Sequence, residues 1–132
     1  MPATGKVVAD TSVVVAALRR VPGLKENLLA ADELLVPLTV LGELEYGVNL
    51  AASPGRQREA VYSFMQSATL LLPTVLTAAA YGRIKAGLKA SGTPLPENDV
   101  WIAAYAIEHN LPLATRDAHF AQEPGLTLID WR

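Results

Sequence analysis

Short apolar runs of four or five residues recur along the chain, separated by longer stretches whose apolar positions repeat at helical spacing. The first run is KVVA (Lys6–Ala9), β-branched and closed by Asp10; ELLVP (Glu33–Pro37), TLLL (69–72), LPLAT (111–115) and LTLI (126–129) follow. Runs this short and this continuous suit strands covered on both faces. Between them the pattern predicts helices over 13–20, 24–31, 40–50, 56–67 and 75–90, and a last one opened by Asn98 or Asp99 and stopped at Asn110. Thr11 or Ser12, Thr39 and Thr74 are placed as N-caps, while Pro22-Gly23, Ser53-Pro54-Gly55 and Ser91-Gly92 act as breakers. There is no internal repeat, linker or low-complexity segment.

Strands alternating with helices call for right-handed crossovers and a parallel sheet. The expected fold is an α/β three-layer sandwich, a central parallel sheet of four to five short strands with helices on both faces. In such sheets ligands bind beyond the carboxyl ends of the strands. A chain of 132 residues, 51% of them hydrophobic, is read as one domain with a substantial core, which excludes a disordered segment. The absence of cysteine excludes disulfides and thiolate metal sites and fits a reducing cytoplasm. MPATGKVVADTS lacks the build of a signal peptide, and the apolar stretch 70–80 contains Pro73 and is too short to span a bilayer, so a soluble cytoplasmic protein is expected. A formal charge of −2 supplies no global basic field, so a nucleic-acid partner must be held by local cations or bound metal.

The stretch NDVWIAAYAIEHNLPLATRDAHF (98–120) organises the candidate chemistry. It combines a helix with Asp99 near its start and a strand with Asp117 just past its end. In a parallel sheet these two ends share one edge. Asp10 ends the first strand on that edge, and Glu43 lies early in the helix after the second. Asp99 joins them if its approach loop, TPLPE, folds over the edge. A lone acid at a helix start is ordinarily a cap or a complement to the helix dipole. Four at one edge repel and raise one another's pKa unless a hard cation neutralises them. Mg²⁺ or Mn²⁺ takes oxygen ligands of this kind, and the all-oxygen set suits phosphodiester hydrolysis by cation-activated water.

ADTSVVVAAL, LTVLGELEYGV, ENDVWIAAYAIEHNLPLATRDAHF and LTLIDW resemble, in this order and spacing, the signature segments of PIN-domain ribonucleases. They are most similar to the VapC-like toxins of toxin–antitoxin pairs. The resemblance covers essentially the whole chain and implies a PIN-like fold and a Mg²⁺- or Mn²⁺-dependent endoribonuclease that cleaves structured cellular RNA, tRNA or rRNA. It puts the acidic quartet on Asp10, Glu43, Asp99 and Asp117, with Thr11, Ser12, Asn98 and Thr115 around it. Asp10, Asp99 and Glu43 are expected to hold the main ion, with Asp117 completing the site; Ser12 either orients water there or caps its helix. The resemblance further implies a homodimer and a small antitoxin whose tail lies in an apolar groove, with DNA engaged only through that antitoxin. The first two helices, 13–18 and 24–29, are candidate groove walls.

Other residues have plainer expectations. Arg116 is the favoured RNA-phosphate contact; Arg83, Lys85 and Lys89 on the long helix, the last two one turn apart, are further candidates for which a solvated helix face is the preferred reading. Trp101 and Tyr105 are placed in packing rather than base stacking, and His119 at the surface. His109 complements a helix end, while Glu45, Glu97 and Asp130 are read as surface acids, with Glu97 left open because it is two residues from Asp99. Gly42 and Gly47 suggest close packing against another element. Two rivals remain: a PIN-like nuclease of RNA processing or structured DNA without a toxin role, and a non-catalytic RNA- or partner-binding domain. The short chain argues against the first, and the intact quartet against the second.

Overall fold

The structure, a computed structural model, describes residues 5–132; the first residues of the segment read above as unlike a signal peptide lie outside these. Five parallel strands form one sheet: β1 (Lys6–Ala9), β2 (Glu33–Pro37), β3 (Thr69–Leu71), β4 (Leu113–Thr115) and β5 (Leu128–Asp130). Their order is β3-β2-β1-β4-β5. Helices α1 (Thr11–Leu18), α2 (Leu24–Ala30), α3 (Leu38–Leu50), α4 (Pro54–Met65), α5 (Val75–Ser91) and α6 (Glu97–Glu108) cover both faces of the sheet. Among the described residues no helix is long and apolar enough to cross a membrane.

The central strands explain the continuous apolar runs. Val7, Val8 and Ala9 of β1 and Leu113 and Ala114 of β4 are wholly buried, in one core with Val13, Val14, Val40, Ile102 and Phe120 from the flanking segments. The chain steps outward from β1 to β2 and β3, then returns through α5 and α6 to place β4 on the other side of β1. That reversal makes the β1–β4 boundary the topological switch point, and it opens a crevice at the carboxyl edge. Val8 pairs with Leu113 and Ala9 with Ala114, and the Asp10 amide donates to the Ala114 carbonyl at 3.0 Å. The same register sets Asp10 beside Thr115.

Several expected boundaries move. Asp10, rather than Thr11 or Ser12, caps α1: its carboxylate accepts from the Thr11 amide at 2.7 Å, which leaves both hydroxyls for longer-range work. The α1 chain stops at Leu18, and Arg20 takes a left-handed φ of 56° before the Pro22-Gly23 turn. Pro37 precedes α3 with no side-chain cap, so Thr39 is not the cap. Pro54 starts α4 instead of breaking it, because a first-turn proline forfeits no helical hydrogen bond. In α6 the start is Glu97, behind Pro96, so neither Asn98 nor Asp99 is a cap. β4 and β5 are shorter or shifted relative to the runs at 111–115 and 126–129, and a 3-10 turn over Ala118–Gln122 escaped the pattern. Thr74 caps α5 through a capping box, Gly92 ends it in the left-handed region, and Asn110 follows α6 at φ 53°, as expected.

Candidate active site at the carboxyl edge

Each predicted acid is carried to the carboxyl edge by a different element. Asp10 continues β1, and Asp117 lies two residues past β4. Glu43 enters at the second turn of α3, one turn later than expected, since that helix begins at Leu38. Asp99 lies in the first turn of α6, which runs back toward the start of β4 and so begins at the carboxyl edge. Its approach loop needs no unusual fold to bring it there.

Asp10 is the most enclosed of the four, 4% exposed, and every polar neighbour donates to it. The Thr11 amide reaches Oδ1, while the Ser12 and Thr115 hydroxyls reach Oδ2 at 2.7 and 2.8 Å. Each hydroxyl spends its one proton on Asp10 and accepts an amide from the exit of β4. Ser12 Oγ accepts from the Arg116 amide at 3.0 Å and Thr115 Oγ1 from the Asp117 amide at 2.9 Å. Thr11 Oγ1 turns the other way and donates to Glu43 Oε1 at 2.6 Å. One hydroxyl-rich strand–helix junction thus ties Asp10, Glu43 and the loop bearing Asp117 together.

Asp99 completes the electrostatic picture. Its half-buried carboxyl is pushed up to about 6, first by burial and then by the negative charges of Asp10, Glu43 and Asp117; His119 opposes the rise. The three acids therefore lie within Coulombic reach of the fourth. They are not drawn into a ready coordination shell: among the described residues no three acidic or histidine side chains are arranged to hold an ion as they stand. A small cavity of about 210 Å³ beside Asp117 is lined by Thr115, Ala118 and Asp130 and by no other quartet member. The donor set is entirely oxygen, which suits a hard divalent cation.

The remaining candidates fare differently. Asn98 is exposed and makes no side-chain hydrogen bond among the described residues. His119 is not an isolated surface residue: its Nδ1 lies 2.7 Å from Asp117 Oδ1, while Asp117 also accepts from the His119 amide. Sequence proximity was the available signal for that pair. Arg116 donates through its guanidinium to the Trp131 carbonyl at 2.6 Å, and Lys85 pairs with Glu97 at 2.8 Å. Arg83 makes no ion pair among the described residues and lines a groove of about 630 Å³ with Ile107 and Gln122. Tyr105 is buried and unavailable for stacking on a base, whereas Trp101 stacks on Tyr81. Glu45 is held by Tyr62 and Arg58 of α4, and Asp130 by Arg132. A Cβ added at Gly42 or Gly47 meets nothing within 4 Å, so neither glycine answers a close approach within this chain.

The PIN domain family model matches residues 7–125. Ribonuclease VapC4 of Mycobacterium tuberculosis is 31% identical over 128 residues, covering 94% of this chain and 95% of that protein. The tRNA(fMet)-specific endonuclease VapC of Salmonella typhimurium is 27% identical, covering 96% and 98%. The DNA-bound VapBC complex of Salmonella typhimurium contains a chain that superposes with a TM-score of 0.89 at 26% identity, covering 96% of this chain and 98% of that one. With its five-stranded parallel sheet and the family match running through all four acidic positions, this chain belongs to the PIN-domain family, among the VapC ribonucleases.

Proposed function

We propose that the chain acts as a single-domain, divalent-cation-dependent endoribonuclease, the toxin of a toxin–antitoxin pair, cutting structured RNA of the tRNA or rRNA class. The observation that carries this reading is the convergence of Asp10, Glu43 and Asp117 on Asp99, whose carboxyl is raised to about 6 by its burial and then by their charge. Asp10, Asp99 and Glu43 would hold Mg²⁺ or Mn²⁺, with Asp117 completing the set. When bound, the cation neutralises the edge, lowers the pKa of water and offsets charge developing on the phosphate.

The chain's own residues prepare that edge. Three donors fix the Asp10 carboxylate, leaving the one remaining lone pair, on Oδ1, for a cation, and Thr11 aims Glu43 by its 2.6 Å hydrogen bond. Thr115 sets the Asp117 amide, and the His119 backbone amide donates to the Asp117 carboxylate. Ser12 stands between Asp10 and the Arg116 amide, where its hydroxyl orients water approaching the phosphodiester. Asn98, exposed beside Asp99, is placed to meet substrate. Of the cations considered for RNA phosphates, Arg83 is the least committed, while Arg116 and Lys85 reach RNA only by leaving their present partners.

The partner is a small antitoxin, in keeping with the VapBC family of toxin-antitoxin systems represented by VapBC-5 of Mycobacterium tuberculosis, and DNA is engaged through that antitoxin, in keeping with the DNA-bound VapBC of Salmonella typhimurium. A groove of about 560 Å³ bordered by Ala17, Val21, Leu24, Leu28 and Phe64 supports α1 and α2 as its seat. The working state is a homodimer in the cytoplasm. Purified protein incubated with total tRNA and rRNA should cleave with Mg²⁺ or Mn²⁺ and stop in EDTA, and Asp10→Ala should be inactive. Cleavage by Asp10→Ala at the wild-type rate overturns the assignment.

A further inference from the structure

The first turn of α6 must carry Asp99 toward three like charges, yet it has no side-chain cap, since Pro96 precedes Glu97 and contributes only its carbonyl. What holds it lies on the opposite side, against α5. Glu97 and Trp101 are one turn apart on α6, Tyr81 and Lys85 one turn apart on α5, and the two pairs interlock. The Tyr81 and Trp101 rings stack with centroids 3.9 Å apart and planes 13° apart. Lys85 Nζ donates to Glu97 Oε2 at 2.8 Å and to the Tyr81 hydroxyl at 3.1 Å, and lies 5.5 Å from the Tyr81 ring centre. The Tyr81 hydroxyl donates to the other Glu97 oxygen. At the far end of the same helix pair, Thr74 and Thr77 donate to the two oxygens of Glu108.

From this juxtaposition we propose that Lys85, through Glu97 and the Tyr81–Trp101 stack, is a positioning residue: it pins the first turn of α6 to α5 and thereby sets where Asp99 stands at the acidic edge. The inference rests on Asp99 being a cation ligand. Lys85 and Glu97 are about half exposed, at 54% and 53%, and such a pair adds little to global stability. Its consequence is geometric, because a ligand constellation must be held to within about 0.5 Å to work. Lys85 also keeps the Glu97 charge turned to α5, away from the edge two residues on. Two of the three ammonium protons are already committed, to Glu97 and Tyr81.

The test is Mn²⁺ titration calorimetry of the RNA-free protein, with steady-state cleavage alongside, on wild type, Lys85→Arg, Lys85→Met and Lys85→Met/Glu97→Gln. Through-space electrostatics alone predicts tighter Mn²⁺ binding once a nearby positive charge is removed. Positioning predicts the reverse. Lys85→Met should bind Mn²⁺ roughly tenfold more weakly, at the lower end of what groups behind a metal ligand contribute. Its KM for RNA should be unchanged and its kcat restored by excess Mn²⁺. Lys85→Arg should keep the wild-type affinity, and the double variant should be no worse than Lys85→Met alone. Unaltered or tighter Mn²⁺ binding by Lys85→Met, with a raised KM and a shallower salt dependence, overturns the proposal and makes Lys85 a phosphate contact. If wild-type protein cleaves RNA but binds no Mn²⁺, the cation reading of Asp99 falls and takes this one with it.

Discussion

Asp10 and Asp99 show how differently two carboxylates are treated at one edge. Asp10 is enclosed by donors, whereas Asp99 faces acids, and burial plus their charge raises its pKa from 3.8 to about 6. A carboxyl with a folded-state pKa above its unfolded value favours the protonated fold. Asp99 therefore stabilises the metal-free protein at low pH, and that contribution is lost as pH rises from 3.8 through about 6. In EDTA the thermal midpoint should accordingly be higher at about pH 5 than at about pH 7.5, and Asp99→Asn should remove this component while abolishing cleavage. An Asp99→Asn protein with an unchanged pH profile would refute the repulsion argument. Thr115 makes a second residue-level case, since its hydroxyl donates to Asp10 and accepts from the Asp117 amide. Thr115→Val keeps the shape and strands both partners, so urea unfolding should show a loss of about 1–3 kcal/mol, with cleavage reduced as well.

At the scale of elements, α5 and α6 form the support on which Asp99 is presented. Thr74 does two jobs, capping α5 through the Leu76 amide and donating to Glu108 at the end of α6. Thr74→Ala should cost about 1 kcal/mol, as lost caps do, measured by chemical denaturation. Ile102 is wholly buried in the middle of α6, and Ile102→Ala should cost about 2–5 kcal/mol in the same measurement, with no change in the metal requirement of the protein that remains folded. The two outcomes separate the anchoring of α6 from the chemistry at its tip.

For the whole molecule, a formal charge of −2 and an acidic edge leave no broad field to attract RNA. Association with a catalytically inactive Asp117→Asn variant, followed by fluorescence anisotropy, should be weak in EDTA, stronger with Mg²⁺, and should fall as monovalent salt rises. Binding indifferent to EDTA would place RNA on another surface. The strand order adds a constraint of its own, because β1 and β4 meet only after the chain reverses at β3, so the two halves of the site are not assembled until the last third of the chain has folded.

Local chemistry alone determined much of this protein. Continuous apolar runs at Lys6–Ala9 and Glu33–Pro37 are legible as buried strands because a strand covered on both faces has no polar side, and Thr74, Gly92 and Asn110 mark helix ends through their own conformational preferences. The four acids were legible as a set because each adjoins the carboxyl end of a strand or the start of a helix leading back from it. Tertiary structure decided which hydroxyl serves which carboxylate. Ser12 and Thr39 read as helix caps in the sequence, yet Ser12 meets Asp10 and the β4 exit, and α3 already begins at Leu38, ahead of Thr39. Lys85 reads as a solvent-facing cation until Glu97 and Tyr81 arrive from elsewhere in the fold. Hydroxyls and ammonium groups can satisfy themselves locally or across the fold, and which they do depends on the β1–β4 register and on the packing of α5 against α6, neither of which is written in any one stretch of residues.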